Sequence, residues 1–194
     1  MTGVLSQVVK ALEDSSIAYV LVGSMASSAR GIPRTTNDAD IVAAIRTEQV
    51  DQLVARLQGA FYIDRDAVRR AVAHHRSVYA IHYGTGFKVD LFVPPPGGFG
   101  WQQLARRVAE NLDAEGSVRV FVATAEDIVI AKLDWYRSSG QSSDRQWLDL
   151  VGIIKVQGDQ LDRQYLRDWA SRLGLAGLLA RAFEEAGPDI DSAG

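Results

Sequence analysis

The sequence predicts an α+β fold in which a mixed sheet flanked by helices is followed by a helical domain. Two observations lead to this prediction. Up to about residue 123, apolar runs of strand length alternate with segments whose apolar residues recur at helical spacing. From Thr124 onward the pattern is helical alone. We therefore expect domains at residues 1–123 and 124–187, with residues 188–194 as a frayed tail.

Turn-forming residues separate the elements of the first domain. Gly23-Ser24 follows a strand-like apolar run, and Ser24 is placed to cap a short helix that Gly31 would end in a left-handed conformation. The other predicted elements are helices at 3–14 and 50–57, a helical stripe formed by Trp101, Leu104, Val108 and Leu112, and strands at 17–22, 37–45, 78–83, 87–93 and 118–122. The strands at 78–83 and 87–93 form a predicted hairpin.

The second domain is predicted to contain helices alone. They run at about 125–137, 144–156, 162–173 and 175–186. Aromatic residues at helical spacing are expected in its core: Trp135, Tyr136, Trp147 and Trp169.

The bulk composition is that of an ordinary globular protein. Of 194 residues, 47% are hydrophobic and 23% are charged, and the formal net charge is −3. That charge argues against an overall basic nucleic-acid-binding protein. The absence of cysteine excludes disulfides and thiolate metal sites. Because no stretch approaches the roughly 20 apolar residues that span a bilayer and no export signal is recognisable, we expect a cytoplasmic protein.

Three aspartates fall on predicted strands with matching orientation. Side chains alternate along a strand, so Asp38 and Asp40 project from the same side as Thr36. On the strand at 87–93, Asp90 faces away from the apolar side. Neighbouring carboxylates repel each other and are best tolerated with a cation between them, and Mg²⁺ prefers carboxylate and phosphate oxygens. The pattern predicts a magnesium site, with ordinary surface aspartates as the alternative interpretation.

Two further features are suited to binding phosphate. Gly23-Ser24 would place backbone N–H groups and a hydroxyl at a helix N-terminus, although a plain turn and cap would have the same sequence. Lys132 lies on an apolar helix face, where an ammonium group is costly unless something negative pairs with it. We expect Lys132 to reach a nucleotide phosphate, with a snorkelling lysine as the alternative. Asp149 could pair with Lys132 or simply be an exposed helical aspartate.

The most basic window of the chain is a candidate contact for RNA. Adjacent histidines point in different directions, so His74 and His75 make a poor metal pair. Together with nearby arginines they predict a solvated basic face that could touch RNA; these arginines are Arg65, Arg69, Arg70 and Arg76.

The motifs resemble the polymerase-beta type nucleotidyltransferase superfamily. Its pattern is a Gly-Ser turn, an Asp-x-Asp pair and a third aspartate on a later strand. In this chain the matching segments are Gly23-Ser24, Arg34-x-Thr36-x-Asp38-x-Asp40-Ile41 and Lys88-Val89-Asp90-Leu91. Two downstream segments are similar to the AbiEii and MenT toxin-like branch, namely Asp127-Ile128-x-x-x-Lys132-Leu133 and Asp149-Leu150.

The resemblance implies a nucleotidyltransferase-like fold, a nucleoside triphosphate substrate, and Mg²⁺ or Mn²⁺ as the cofactor. It implies that Asp38, Asp40 and Asp90 hold the metal, and that Asp90 helps to activate the acceptor hydroxyl. Lys132 would act in catalysis with these aspartates by binding the triphosphate. The implied nucleotide-binding residues are Gly23, Ser24, Arg34, Thr36, Lys132 and Asp149.

Members of the toxin branch transfer nucleotides to the 3′ end of tRNA, so the resemblance implies a nucleotidyltransferase enzyme with tRNA as acceptor and a cognate antitoxin as partner. Alternative acceptors are an antibiotic hydroxyl or a toxin protein, the latter making the chain an antitoxin-type enzyme. A different class is a catalytically inactive nucleotide-binding module. The presence of all three aspartates argues against that class.

Overall fold

The computed structural model describes residues 2–32, 35–111 and 119–187. They group into two compact units: unit 1 comprises Met1–Met25 and Thr36–Ala123, and unit 2 comprises Ala26–Thr35 and Thr124–Gly194. One boundary between the units falls after Ala123. The grouping of residues 26–35 with the C-terminal helices was not predicted. The proposed frayed tail at 188–194 lies outside the described residues.

Unit 1 is built on a mixed sheet, as predicted. Its strands are β1 (Tyr19–Val22), β2 (Asp38–Ala43), β3 (Phe61–Tyr62), β4 (Ser77–His82), β5 (Lys88–Phe92), β6 (Val108–Asn111) and β7 (Arg119–Val122). Across the described ranges these strands form one sheet in the order β3-β4-β5-β2-β1-β7-β6. The pairs β2–β5 and β1–β7 are parallel, and the other pairs are antiparallel.

Helices accompany this sheet in unit 1. They are α1 (Thr2–Asp14), the start of α2 (Gly23–Arg30), α3 (Val50–Leu57), α4 (Arg65–His74) and α5 (Phe99–Arg106). The central strands direct one set of alternating side chains into the core, where Ala39, Ile41, Val89 and Leu91 are fully buried. On the opposite side of β2 and β5, the side chains of Asp38, Asp40, Lys88, Asp90 and Phe92 remain accessible, whereas Val42 is buried. Around these residues one face of the sheet is therefore core, and the other is accessible.

Unit 2 is helical, which confirms the predicted helical C-terminal region. Its helices in sequence order are α6 (Ala125–Ser138), α7 (Asp144–Gln157), α8 (Arg163–Leu173) and α9 (Ala176–Ala186). Two of them begin with side-chain caps. The Thr124 hydroxyl accepts a hydrogen bond from the Asp127 amide at 3.3 Å, and the Asp162 carboxylate accepts one from the Tyr165 amide at 2.9 Å. No helix in the described parts of either unit is long and apolar enough to cross a membrane.

Two assignments based on helical spacing were wrong. Helix α5 ends at Arg106, and Val108 begins strand β6, which pairs with β7. Backbone pairing along the sheet outweighs the helical periodicity at this position, while Leu112 lies outside the described residues. Trp135 was expected in the core but is 60% exposed, because the buried positions of α6 fall on the opposite side of the helix.

Gly31 is not in the left-handed conformation predicted for it. Among the described glycines, those with positive φ do not include Gly31, and its amide donates to the Ser27 carbonyl at 2.8 Å. Instead, Gly31 packs closely against α7, where an added Cβ would lie 2.9 Å from Ile153 Cγ1 and 3.2 Å from Ile153 Cα. The glycine is required here by close packing rather than by backbone conformation.

We predict that Gly31→Ala destabilises unit 2 by about 1–3 kcal/mol, because the new methyl group overpacks the contact with α7. Gly31→Asn should be worse, whereas a left-handed position would tolerate asparagine better than alanine. Gly177→Ala is the matched control, since that helical glycine has no neighbour within 4 Å. Urea unfolding can be followed by tryptophan fluorescence in a Trp101→Phe background, in which the remaining tryptophans all belong to unit 2. Equal stability of Gly31→Asn and the parent would contradict the packing explanation.

Candidate active site

Strand pairing brings the three predicted aspartates together on the open face of the sheet. In the antiparallel pair β1–β2, Asp40 lies opposite Val22, and in the parallel pair β2–β5 it lies opposite Asp90. Asp38 is two residues before Asp40 on β2 and therefore shares its face. We call the face that carries Asp38, Asp40, Lys88 and Asp90 the acidic face.

The Asp40 carboxylate lies directly against Gly23, the residue at which β1 gives way to α2. A Cβ built on Gly23 would be 1.9 Å from Asp40 Oδ2 and 2.6 Å from its Cγ. Gly23 also has a φ of +62°, a conformation that favours glycine. Both the turn and the carboxylate therefore require the absence of a side chain at this position.

Lys88 is a site residue that the sequence interpretation did not identify. Its Nζ lies 2.8 Å from Asp90 Oδ2, and in strand register Lys88 is opposite Asp38. The hydrogen bond with Asp90 raises the pKa of Lys88 above its ordinary value; partial burial opposes this, and the charges of Asp90, Asp38 and Asp40 add to the increase. Its position two residues before Asp90 on the same strand was the signal that could have revealed it.

Other predicted site residues of unit 1 surround the acidic face. Thr36 is buried and its hydroxyl donates a short hydrogen bond to Asp38 Oδ1. Helix α2 begins at Gly23, so Ser24 lies within its first turn rather than preceding it as a cap. The first-turn amides of a helix are suited to an anion, which keeps Ser24 consistent with a phosphate contact. Arg34 lies outside the described residues.

The chemistry of the acidic face fits a divalent cation. Its carboxylates supply the hard oxygen ligands that Mg²⁺ prefers. A cationic group already lies among them, since the Lys88 ammonium contacts Asp90 and experiences the charges of both Asp38 and Asp40. As they stand, no group of three His, Asp or Glu side chains in the described ranges could hold a metal ion. Binding a metal through all three aspartates would thus require at least one of these side chains to adopt another conformation.

Lys132 and Asp149 form a buried ion pair within unit 2. Lys132 Nζ lies 2.9 Å from Asp149 Oδ2 and donates to Gln146 Oε1 at 2.7 Å. The two side chains are 4% and 10% exposed, so neither charge is at the surface. The pairing that the sequence left open is therefore formed, and the snorkelling alternative for Lys132 is not. Its predicted contact with a nucleotide stays a prediction, as does that of Asp149.

A small cavity of about 230 Å³ in unit 2 reaches this ion pair. Its lining residues are Ser27, Ile32, Arg145, Leu148 and Asp149. Asp149 thus borders the cavity and also contacts Lys132. The cavity wall places one cationic side chain, Arg145, and one anionic side chain, Asp149, beside apolar ones.

The basic window is largely balanced by acidic neighbours. Arg69 lies 2.9 Å from Asp51 on α3, which Arg65 approaches at 3.5 Å, and Arg70 lies 3.9 Å from Asp64. These exposed pairs contribute little to stability, but they reduce the positive charge that α4 presents. The observed charge distribution gives this helix weaker attraction for RNA than the arginines alone predicted.

We predict that Gly23→Ala destabilises unit 1 by about 1–3 kcal/mol, because alanine is strained at this φ and displaces the Asp40 carboxylate. Gly59→Ala is the matched control, since it lies in a turn of the same unit with no neighbour within 4 Å and no positive φ. Calorimetric unfolding should show a lower melting temperature for the first variant and no loss for the second. Equal melting temperatures would refute the close approach.

For the buried pair, we predict that Asp149→Ala costs unit 2 about 3 kcal/mol, because it removes the carboxylate that pairs with the buried Lys132 ammonium. The double variant Lys132→Met/Asp149→Leu should recover most of this loss, since it removes both charges. Urea unfolding of Lys132→Met, Asp149→Leu and the double variant in the Trp101→Phe background gives the coupling energy. An additive double variant would show that the two charges do not interact.

No model of a known protein family and no curated protein matches the sequence. Solved structures match the fold. The antibiotic-resistance factor ANT(2'')-Ia is 10% identical with a TM-score of 0.58, over 94% of this chain and 97% of that one. An antigenic nucleotidyltransferase-like protein from Paracoccidioides brasiliensis is 17% identical with a TM-score of 0.50, over 98% of this chain and 94% of that one. At such identities the likeness concerns the fold, and the chain has the nucleotidyltransferase-like fold that its motifs predicted.

Proposed function

We propose that this protein is a Mg²⁺-dependent nucleotidyltransferase that transfers a nucleoside monophosphate from a nucleoside triphosphate to an acceptor hydroxyl. The observation that carries the proposal is the position of Asp40, which lies against Gly23 at the start of α2 and opposite Asp90 in the sheet. The shared fold supports the same reaction class. Catalysis of this kind rests on positioning and charge stabilisation.

Residues on and around the acidic face have distinct parts in the proposed step. The acceptor oxygen forms a bond to the α-phosphorus while the bond from that phosphorus to the bridging β-phosphate oxygen breaks, which releases pyrophosphate. Asp90 accepts the proton of the acceptor hydroxyl. Ser24 and the first-turn amides of α2 bind phosphate oxygens at the helix N-terminus. Thr36 orients Asp38 through the hydrogen bond between their side chains.

Asp38, Asp40 and Asp90 would hold the metal. When bound, Mg²⁺ would neutralise charge on the phosphates and on the leaving pyrophosphate. Mn²⁺ has the same preference for oxygen ligands and should substitute. Lys132 is proposed to add positive charge for the triphosphate, and Asp149 to orient Lys132 through their ion pair.

The acceptor that we favour is the 3′ end of a tRNA, and the cellular role is that of a toxin with a cognate antitoxin. The support is the resemblance of the motifs around Lys132 and Asp149 to the AbiEii and MenT branch. The near-neutral α4 surface means that RNA recognition must come from other parts of the chain. An inactive nucleotide-binding module is disfavoured because all three aspartates share one face.

A second candidate acceptor is an antibiotic hydroxyl. It is favoured by the structural likeness to ANT(2'')-Ia, which is an antibiotic-resistance factor. Incubation with Mg²⁺ and each α-labelled nucleoside triphosphate in turn, together with total RNA, cell protein or antibiotics, separates the candidates. Label on small RNA supports the tRNA proposal, whereas label on protein or antibiotic overturns that acceptor and retains the enzyme class.

We predict that Asp38→Asn and Asp40→Asn each lower the transfer rate by about 100-fold or more, because each removes a carboxylate that would hold the metal and with it the charge stabilisation of the reacting phosphate. Neither change should lower the melting temperature, since each removes a repulsive charge from the acidic face. Asp66→Asn is the control, because this aspartate is 74% exposed on α4. Full activity in both site variants, with calorimetry showing no metal-dependent nucleotide binding, would reject the proposed function.

A further inference from the structure

Two tyrosines extend the acidic face toward the edge of the sheet. In the pair β4–β5, Tyr79 lies opposite Asp90, which itself lies opposite Asp40 on β2. Partners in register point to the same face of a sheet, so these three side chains form one continuous row. The neighbouring row continues the same face to the edge strand and consists of Asp38, Lys88, Ile81 and Tyr62.

The tyrosine rings are accessible and organised. Tyr79 is 46% exposed and Tyr62 is 48% exposed, and their rings are stacked with centroids 6.4 Å apart and an interplanar angle of 29°. Lys88 Nζ lies 5.6 Å from the centroid of the Tyr79 ring, within the range of a cation–π interaction. The rings are therefore held in place while much of their surface stays open to solvent. We call Tyr62 and Tyr79 the tyrosine platform.

We propose that the tyrosine platform binds the terminal nucleobase of a single-stranded RNA acceptor, so that the 3′ hydroxyl of that nucleotide lies beside Asp90. The inference rests on the proposed function, because it assigns the acceptor side of the same site. Single-stranded RNA is bound by stacking of its bases on exposed aromatic side chains.

The spacing of the sheet suits this arrangement. Adjacent strands lie about 4.8 Å apart, and Tyr79 is a direct cross-strand neighbour of Asp90 on this face. Lys88 Nζ lies 5.6 Å from the centroid of the Tyr79 ring and 2.8 Å from Asp90 Oδ2, so the ring and the carboxylate lie within reach of a single nucleotide. Continuity between the platform and the candidate catalytic carboxylate thus selects a ligand with a planar ring and a hydroxyl close together.

Lys88 supplies a cation next to the platform. Its ammonium group lies between the ring of Tyr79 and the carboxylate of Asp90. On a face that otherwise carries carboxylates, this is the positive group that a backbone phosphate would meet. An aromatic ring beside a lysine is the combination that single-strand binding sites use for base and backbone together.

The first test measures binding by fluorescence anisotropy, using a short single-stranded RNA with a 5′ fluorophore and an intact 3′ hydroxyl, with the full-length chain in Mg²⁺. Tyr79→Ala should weaken binding about tenfold, because loss of base stacking costs about 1–3 kcal/mol. Tyr79→Phe keeps the ring and should bind like the parent. Trp101→Ala is the control, since Trp101 is an equally exposed aromatic of unit 1 outside the platform.

The second test separates this inference from the proposed function. With RNA as the acceptor, Tyr79→Ala should raise the KM for RNA about tenfold and leave nucleotide binding unchanged. If Tyr79→Ala transfers nucleotide to RNA with the parent's KM for RNA, the platform is overturned. The proposed function is upheld by the same result, because RNA still accepts the nucleotide. The parent could instead bind RNA but transfer label to no acceptor. If Tyr79→Ala then loses RNA binding, the platform is supported and the nucleotidyltransferase activity is rejected. Three further results would overturn the platform. The first is an equal loss of RNA affinity in Tyr79→Ala and Tyr79→Phe, and the second is an equal loss in Tyr79→Ala and Trp101→Ala. The third is the absence of RNA binding by the parent.

Discussion

The position of the Asp40 carboxylate depends on a missing side chain. Gly23 leaves room for Asp40 Oδ2 where a Cβ would stand 1.9 Å away, and its φ of +62° turns the chain from β1 into α2. The same strand ends in Val22, which pairs with Asp40. Turn, strand pairing and carboxylate are thus parts of one arrangement, and α2 begins where a phosphate beside Asp40 would meet its first amides.

Electrostatic repulsion is the main cost of this arrangement. Two carboxylates about 4 Å apart repel each other by about 1 kcal/mol in bulk water and by about 4 kcal/mol in a partly buried setting. The Lys88 ammonium offsets part of this cost through its contact with Asp90. Lys88 and a divalent cation would compete for the Asp90 carboxylate. Lys88 thereby contributes to the charge balance of the acidic face, and it also contacts the tyrosine platform through the Tyr79 ring.

Side-chain alternation was sufficient to predict the common face of Asp38, Asp40 and Asp90, because it needs only the strand assignments. It could not identify contacts that depend on register between strands, which is why Tyr79 was missed as a neighbour of Asp90. Lys88 lies two residues before Asp90 on the same strand, so the same alternation could have identified it. Nor can a sequence distinguish a glycine kept for its backbone conformation from one kept for close packing. That ambiguity explains why the conformation predicted for Gly31 was wrong. It also explains why the need for glycine at position 23 became apparent only from the structure.

The two faces of β2 and β5 have different roles, one in core packing and the other in the candidate active site. On β2 and β5, Ile41 and Leu91 are fully buried, whereas the intervening Asp40 and Asp90 are partly accessible on the opposite side. Core packing on one side can therefore hold strand positions rigidly while the other side carries repelling charges and exposed rings. Since exposed side chains contribute little to stability, acceptor preference could change through Tyr62 and Tyr79 without loss of the fold. Gly23 lacks that freedom, because an added Cβ would lie 1.9 Å from the Asp40 carboxylate.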